Sequence, residues 1–272
     1  MTRVLVHHRS VTRTRTGVRR GGPRHGDRVV GAARDVTPLD DLCAEHAGRL
    51  VTLPLDVLDR AAVFDTVDKA AAAFGRLDVV VNNAGQLLMG MLEEITEAQA
   101  RAHFDTNVFG ALWVAQAVVP HLRAQGSGHI LQVSSMGSLG GFASVGLYSA
   151  GKAALDSLSE ALAMEVEPFG IDVTILQPGG YATDLFTRGT TATTPDDAYA
   201  DLRARLAETW AEAEDPDPRL AAPVVREIAG MDQPPKRLLL GSTSYDLVQE
   251  MVGARLDEHR RWEHLSRRAG PA

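Results

Sequence analysis

Residues 77–85 read LDVVVNNAG. Successive side chains of a strand point to opposite faces, so Val79, Val80 and Val81 in a row put apolar groups on both sides of a sheet. A strand buried on both faces belongs to a parallel sheet clothed by helices, not to a sheet with one wet face. The run then stops on Asn82, Asn83, Ala84 and Gly85, residues suited to a turn. This stretch predicts a central strand whose carboxyl end opens on a polar loop.

The pattern recurs on either side. RVVGAA (28–33), LVTLPL (50–55), HILQVSS (129–135), DVTILQP (172–178) and RLLLG (237–241) are further short apolar runs. Longer, mostly Ala-rich stretches separate them at 39–46, 61–74, 96–125 and 147–166, and a charged helix is expected at 244–267. Gly75 and Gly170 stand where helices would stop. Strands alternating with helices in this way predict an α/β fold with a doubly wound parallel sheet, as one domain over residues 1–272.

With 272 residues and 44% hydrophobic content, the chain can bury a substantial core. Its net charge of −7 argues against nucleic acid or an anionic membrane as partner. No apolar run is long enough to span a bilayer. The lone Cys43 excludes an intramolecular disulfide and fits a reducing, cytoplasmic setting. No metal site is expected.

Sheets of this kind bind ligands at the carboxyl ends of their strands. Asp56, Asn82 to Gly85, Ser134 with Ser135, and Pro178 with Gly179 all fall at that edge. Any one of them reads as turn chemistry. Four such clusters at one edge are harder to explain that way. Tyr148 and Lys152, in YSAGK, are four residues apart at a helix start, which stacks them on one face. An ammonium beside a phenol favours the phenolate, so the expectation is a Tyr148 titrating below its usual value of about 10. Such a tyrosine can give a proton to a carbonyl oxygen or take one from an alcohol. Ser135 lies where its hydroxyl could hold the same oxygen.

Tyr148-x-x-x-Lys152, Ser135, NNAG at 82–85, Asn107 in TNVFG and PGGYAT at 178–183 together resemble the short-chain dehydrogenase/reductase family over roughly residues 27–185. The resemblance implies a Rossmann-type domain that moves hydride between a nicotinamide cofactor and a carbonyl or alcohol carbon. It implies Tyr148 as acid/base, Ser135 on the substrate oxygen, and Lys152 on both Tyr148 and the nicotinamide ribose. Asn107 would kink its helix and anchor a water in the proton relay. Asp56 and Val57 would meet the adenine, and Asn83, Ala84 and Gly85 the adenosine side. Pro178, Gly179 and Thr183 would embrace the nicotinamide. Arg34 ends the second strand, where an Arg takes a 2′-phosphate and an acid takes a 2′-hydroxyl. It favours NADP(H) over NAD(H), with Asp35 a weaker, competing signal.

The family's glycine turn, T-G-x-x-x-G-x-G, should follow RVLV at the front of the chain. Residues 7–25 stand there instead, and Gly17, Gly21 and Gly22 lack the spacing. Arg3, Arg9, Arg13, Arg15, Arg19, Arg20, Arg24 and Arg28 crowd this region, with Asp27 the only acid before Asp35. An Arg-rich nucleic-acid arm, a targeting peptide and a divergent enzyme are three readings of it. The fourth, which we favour, is a compensated frameshift. Codons permitted for His8 to Arg15, read one base later, can encode Thr-Gly-Ala-Ser-Pro-Gly-x-Gly. A chain without that turn could be a non-catalytic relative that binds a nucleotide or a partner.

Residues 185–235 should form a variable lid, with a mobile Thr/Asp-rich start and Tyr199, Leu202, Leu206 and Trp210 on one helical face. Leu87, Leu88, Met89, Leu139, Phe142 and Leu147 suggest an apolar substrate portion. The family implies a homodimer or homotetramer through the two longest helices and a small-molecule carbonyl or alcohol substrate.

Overall fold

The computed structural model describes residues 2–6, 27–211 and 215–270, the first of these as backbone only. The anomalous residues 7–25 lie outside the described residues, so the expectations placed on them are not addressed by it.

Nine strands are described: β1 (Thr2–Val6), β2 (Arg28–Ala33), β3 (Leu50–Pro54), β4 (Val79–Asn82), β5 (Leu87–Met89), β6 (Gly128–Val133), β7 (Ile171–Pro178), β8 (Thr190–Ala192) and β9 (Arg237–Leu240). Seven form one parallel sheet in the order β3-β2-β1-β4-β6-β7-β9. All seven run the same way, so their carboxyl ends share an edge. The order reverses between β1 and β4, the crevice where such sheets take ligands.

The helices are α1 (Asp40–Glu45), α2 (Arg60–Phe74), α3 (Glu97–Phe104), α4 (Gly110–Gln125), α5 (Gly146–Val166), α6 (Ala200–Ala211), α7 (Ala221–Ile228), α8 (Ser242–Arg261) and α9 (Glu263–Arg268). Asp59 caps α2 by accepting from Ala62 N at 3.0 Å, and Gly75 ends it in the left-handed region that favours glycine. Thr96 and Gln99 form a capping box at α3. The stretch expected as one helix over 96–125 is α3, a π-helical turn at Asp105–Phe109, and α4. The expected last helix is broken at Trp262.

On one face of the sheet, α2, α4 and α5 pack over Val30, Val80 and Ile130 through Val63, Val118, Leu122 and Val166, all buried. On the other, Val79, Leu131 and Leu176 meet Ile228 of α7 and Leu240. Helices on both faces explain the near-continuous apolar strands. Leu122 is fully buried, and its truncation to Ala would cost about 2–5 kcal/mol.

Residues 185–235, expected as a lid with a mobile start, carry more structure than their composition suggested. β8 pairs in parallel with β5, Leu87 opposite Thr190. Leu87 and Leu88 are thereby buried in packing. The Thr-rich start of the lid is held in a two-stranded ladder.

Candidate active site

β6 ends at Val133, and Ser134 and Ser135 follow directly. Ser135 opens a 3₁₀ turn, Met136–Leu139, with its Oγ accepting from Gly137 N at 3.1 Å. Tyr148 and Lys152 lie in the first turns of α5. The Ser135 hydroxyl and the Tyr148 ring both flank Gly137, at 3.3 and 3.9 Å from where its Cβ would stand. Lys152 Nζ stands 6.0 Å from the Tyr148 ring centre and donates to Val133 O at 2.8 Å. Ser135, Tyr148 and Lys152 therefore meet at the carboxyl edge of the sheet.

Asn107 sits in the π-helical turn, wholly buried. Its Oδ1 accepts from Gln86 N and its Nδ2 donates to Gln86 O, both at 2.8 Å. Nδ2 also lies 2.9 Å from Nε2 of His103. A Cβ on Gly85 would be 3.1 Å from Asn107 Oδ1 and 3.5 Å from Lys152 Nζ, so the bare glycine keeps a polar notch open beside the lysine.

The ionisation of the pair differs from the sequence expectation. Burial raises Tyr148 above its usual value of 10.0, and the Ser135 hydrogen bond opposes this only in part. Burial lowers Lys152 from 10.5 to about 8, against a rise caused by the Asp156 charge. The direction favours the protonated phenol, because desolvation outweighs the opposing effect of Ser135. His103 is lowered to about 4 by burial and by Lys152, and so stands neutral.

The other expected residues lie along the same edge. Arg34 is exposed immediately after β2, while Asp35 Oδ1 accepts from Thr37 N at 3.0 Å and Thr37 Oγ1 at 2.7 Å. Asp56 Oδ1 accepts from Leu58 N at 3.1 Å. The Val57 side chain is buried in the core, leaving its backbone for any ligand contact. Asn83 and Ala84 follow β4 directly, Ala84 buried. Pro178 closes β7, and a Cβ on Gly179 would run into Ser244. Thr183 caps a short 3₁₀ turn, Asp184–Phe186, and is exposed. Two buried neighbours were missed, His103 and Asp156. Each is four residues from a residue already singled out, Asn107 and Lys152, which is the signal that could have found them.

The short chain dehydrogenase family model matches residues 23–193, beginning near the end of the Arg-rich segment. The chain belongs to the short-chain dehydrogenase family. It is 33% identical to the Oxidoreductase BOA17 of Botryotinia fuckeliana over 246 residues, 89% of this chain and 90% of that protein. A short-chain dehydrogenase from Streptomyces avermitilis, 35% identical, superposes with a TM-score of 0.87 over 99% of this chain and 98% of its own. One from Burkholderia cenocepacia, solved in complex with NADP, shares the fold at 21% identity, with a TM-score of 0.71 over 96% of each chain. Membership of this family makes the protein an NAD(P)-dependent oxidoreductase of CH–OH and C=O groups. Among the described residues, no helix is long and apolar enough to cross a membrane and no group of His, Cys, Asp and Glu could hold a metal ion.

Proposed function

We propose that this short-chain dehydrogenase is an NADP(H)-dependent reductase of aldehydes and ketones, with Tyr148 as its acid/base. The observation that carries the reading is the convergence of Tyr148 with the Ser135 hydroxyl beside Gly137 and, on the same helix face, with Lys152 6.0 Å from its ring centre. When bound, the nicotinamide supplies or accepts hydride at the substrate carbon. Tyr148 gives the proton to the carbonyl oxygen, and Ser135 holds that oxygen through its hydroxyl. Lys152, an ammonium below about pH 8, stabilises the phenolate left behind and would hold the nicotinamide ribose. Asn107 orders the wall behind them through Gln86.

The notch at Gly85 and the lysine beside it fit a nicotinamide nucleotide at this end. Asn83, Ala84, Asp56 and the Val57 backbone would hold the adenosine side, and Pro178 and Thr183 the nicotinamide. Preference for NADP(H) is supported by exposed Arg34 and by Asp35, whose Oδ1 is already engaged by Thr37. Assembly as a homodimer or homotetramer through α4 and α5 is supported by apolar side chains left exposed there, Met164 at 68% and Phe109 at the start of α4 at 42%. We place the protein in the cytoplasm, without membrane or nucleic-acid partners, on its lone cysteine and its net charge of −7.

The test is NADPH oxidation against a panel of ketones and aldehydes, with secondary alcohols and NADP for the reverse, in the unaltered chain and in Tyr148→Phe. Loss of turnover in the variant with cofactor binding kept supports the reading. A second reading, a family member that binds nucleotide or a partner without turnover, is favoured by the missing glycine spacing in residues 7–25. It predicts no reaction of the unaltered chain with any compound of the panel, even at NADPH concentrations that saturate whatever binding remains.

A further inference from the structure

One turn beyond Lys152 stands a buried carboxylate that the proton chemistry above does not use. Asp156 is 4% exposed and shares a helix face with Lys152. Its Oδ2 accepts from Ser138 Oγ at 2.6 Å, Gln177 Nε2 at 2.7 Å and Arg237 Nη1 at 2.9 Å. The donors come from three elements: the turn that Ser135 opens, β7 one residue ahead of Pro178, and β9. Gln177 Nε2 also reaches Ser138 Oγ at 3.0 Å, closing the network. Asp156 Oδ1 is buried with no hydrogen-bond partner.

Such an ion pair is a poor source of stability, since burying both charges offsets most of their attraction, and an unpartnered buried oxygen adds to that cost. What the network does is fix the Ser135 turn and the end of β7 to the helix bearing Tyr148 and Lys152. We propose that Asp156 is a positioning residue of the reaction: it clamps the Ser135 turn against α5, and its charge holds Lys152 as the ammonium. The proposal rests on the reading of Ser135, Tyr148 and Lys152 as the reacting groups. The titratable groups set around Lys152 are Asp156 and Tyr148 on its own helix and His103 from α3, while Arg237, itself paired with Glu160, faces Asp156. Of these, Asp156 is the one that raises Lys152, against the larger effect of burial.

The chain has three lysines, Lys69, Lys152 and Lys236, and of them only Lys152 is buried. Carbon-13 lysine labelling therefore gives three side-chain resonances by NMR, and their titration needs neither cofactor nor turnover. Lys152→Arg assigns the signal. In Asp156→Asn the Lys152 midpoint moves to lower pH while Lys69 and Lys236 stay. Sufficient displacement of the Ser135 turn lowers kcat on the ketone panel about 100-fold. The alkaline limb of the kcat profile moves to lower pH with it, since Lys152 then loses its proton earlier. Ser138→Ala, which cuts the clamp and leaves the charge, lowers kcat with the Lys152 midpoint unmoved. Should Asp156→Asn fail to fold, Arg237→Gln serves, because removing the cation facing Asp156 moves the Lys152 midpoint to higher pH. An Asp156→Asn protein that keeps its melting temperature, its Lys152 midpoint and its kcat overturns the proposal, as does an unmoved midpoint in Arg237→Gln. Tyr148→Phe run alongside separates the two ideas: turnover there equal to the unaltered chain sinks the acid/base reading, whereas the Lys152 titration still judges Asp156.

Discussion

Tyr148 holds a proton that its surroundings discourage it from losing, and this sets the sense in which the site is ready to work. A half-buried phenol whose pKa is raised is a proton donor at neutral pH, which suits carbonyl reduction; the phenolate needed for alcohol oxidation forms at higher pH. The proposed preference for NADP(H) rests on one side chain. Arg34→Ala should weaken NADPH binding by about 1.5–3 kcal/mol, a charge-assisted phosphate contact, and leave NADH affinity unchanged. Calorimetric titration with both nucleotides checks it, and equal losses for the two would remove Arg34 from the phosphate site. At this scale, Ser135, Tyr148, Lys152 and Asn107 could be picked out from the sequence because each sits at a fixed spacing within a short motif. For His103 and Asp156 only the four-residue spacing to Asn107 and Lys152 could be read, because Gly151 beside His103 and Ser138, Gln177 and Arg237 around Asp156 are brought there by the fold. The direction of the Tyr148 shift was misread for a related cause: spacing reveals the neighbouring charge but not the depth of burial.

Among elements, the start of residues 185–235, the expected lid, is tied down by one carboxylate. Glu94, in the short turn Leu92–Glu94 before α3, has a side chain only 3% exposed. Its carboxylate accepts from Thr193 Oγ1 at 2.8 Å, Asp196 N at 2.8 Å and Met91 N at 2.9 Å, and pairs with Arg203 of α6. The Arg203 bond, followed by the Asp196 amide, holds Glu94 down to about 2. The latch therefore stays charged at any ordinary pH and weakens only as pH falls through that value. Glu94→Ala should release the lid, and limited proteolysis should then cut within residues 185–211 at least tenfold faster, with little change in the melting temperature. Unchanged cleavage would show that the β5–β8 ladder alone secures it. The strands and helices of the main sheet could be read from period and turn residues. The β5–β8 pair could not, because three-residue strands carry no periodicity and their pairing joins segments a hundred residues apart.

For the molecule as a whole, acid should act through two buried histidines. His103 and His129 are each held to about 4, against 6.5 when exposed, chiefly by burial. Between those values the unfolded chain takes up protons that the folded one refuses, so stability falls as pH drops from about 6.5 to about 4, by up to about 3 kcal/mol per histidine. Thermal melts across that range check it, and His129→Gln should flatten the slope; a flat profile in the unaltered chain would contradict the burial of both rings. The proposal puts the phosphate cradle for the cofactor at the front of the chain. Replacing residues 8–15 by Thr-Gly-Ala-Ser-Pro-Gly-Thr-Gly should tighten NADPH binding at least tenfold, measured by cofactor fluorescence, because glycines let a pyrophosphate approach the backbone at a helix start. Micromolar affinity in the chain as written would show that it has another phosphate cradle.

The account stands or falls on proton transfer by Tyr148. The most direct measurement is kcat for ketone reduction at saturating NADPH in the unaltered chain and in Tyr148→Phe, with nucleotide binding followed in both. A general acid of this kind contributes about 10²–10⁴-fold, so the variant should lose that much turnover while binding NADPH as before. Turnover preserved within a few-fold in Tyr148→Phe would contradict the account.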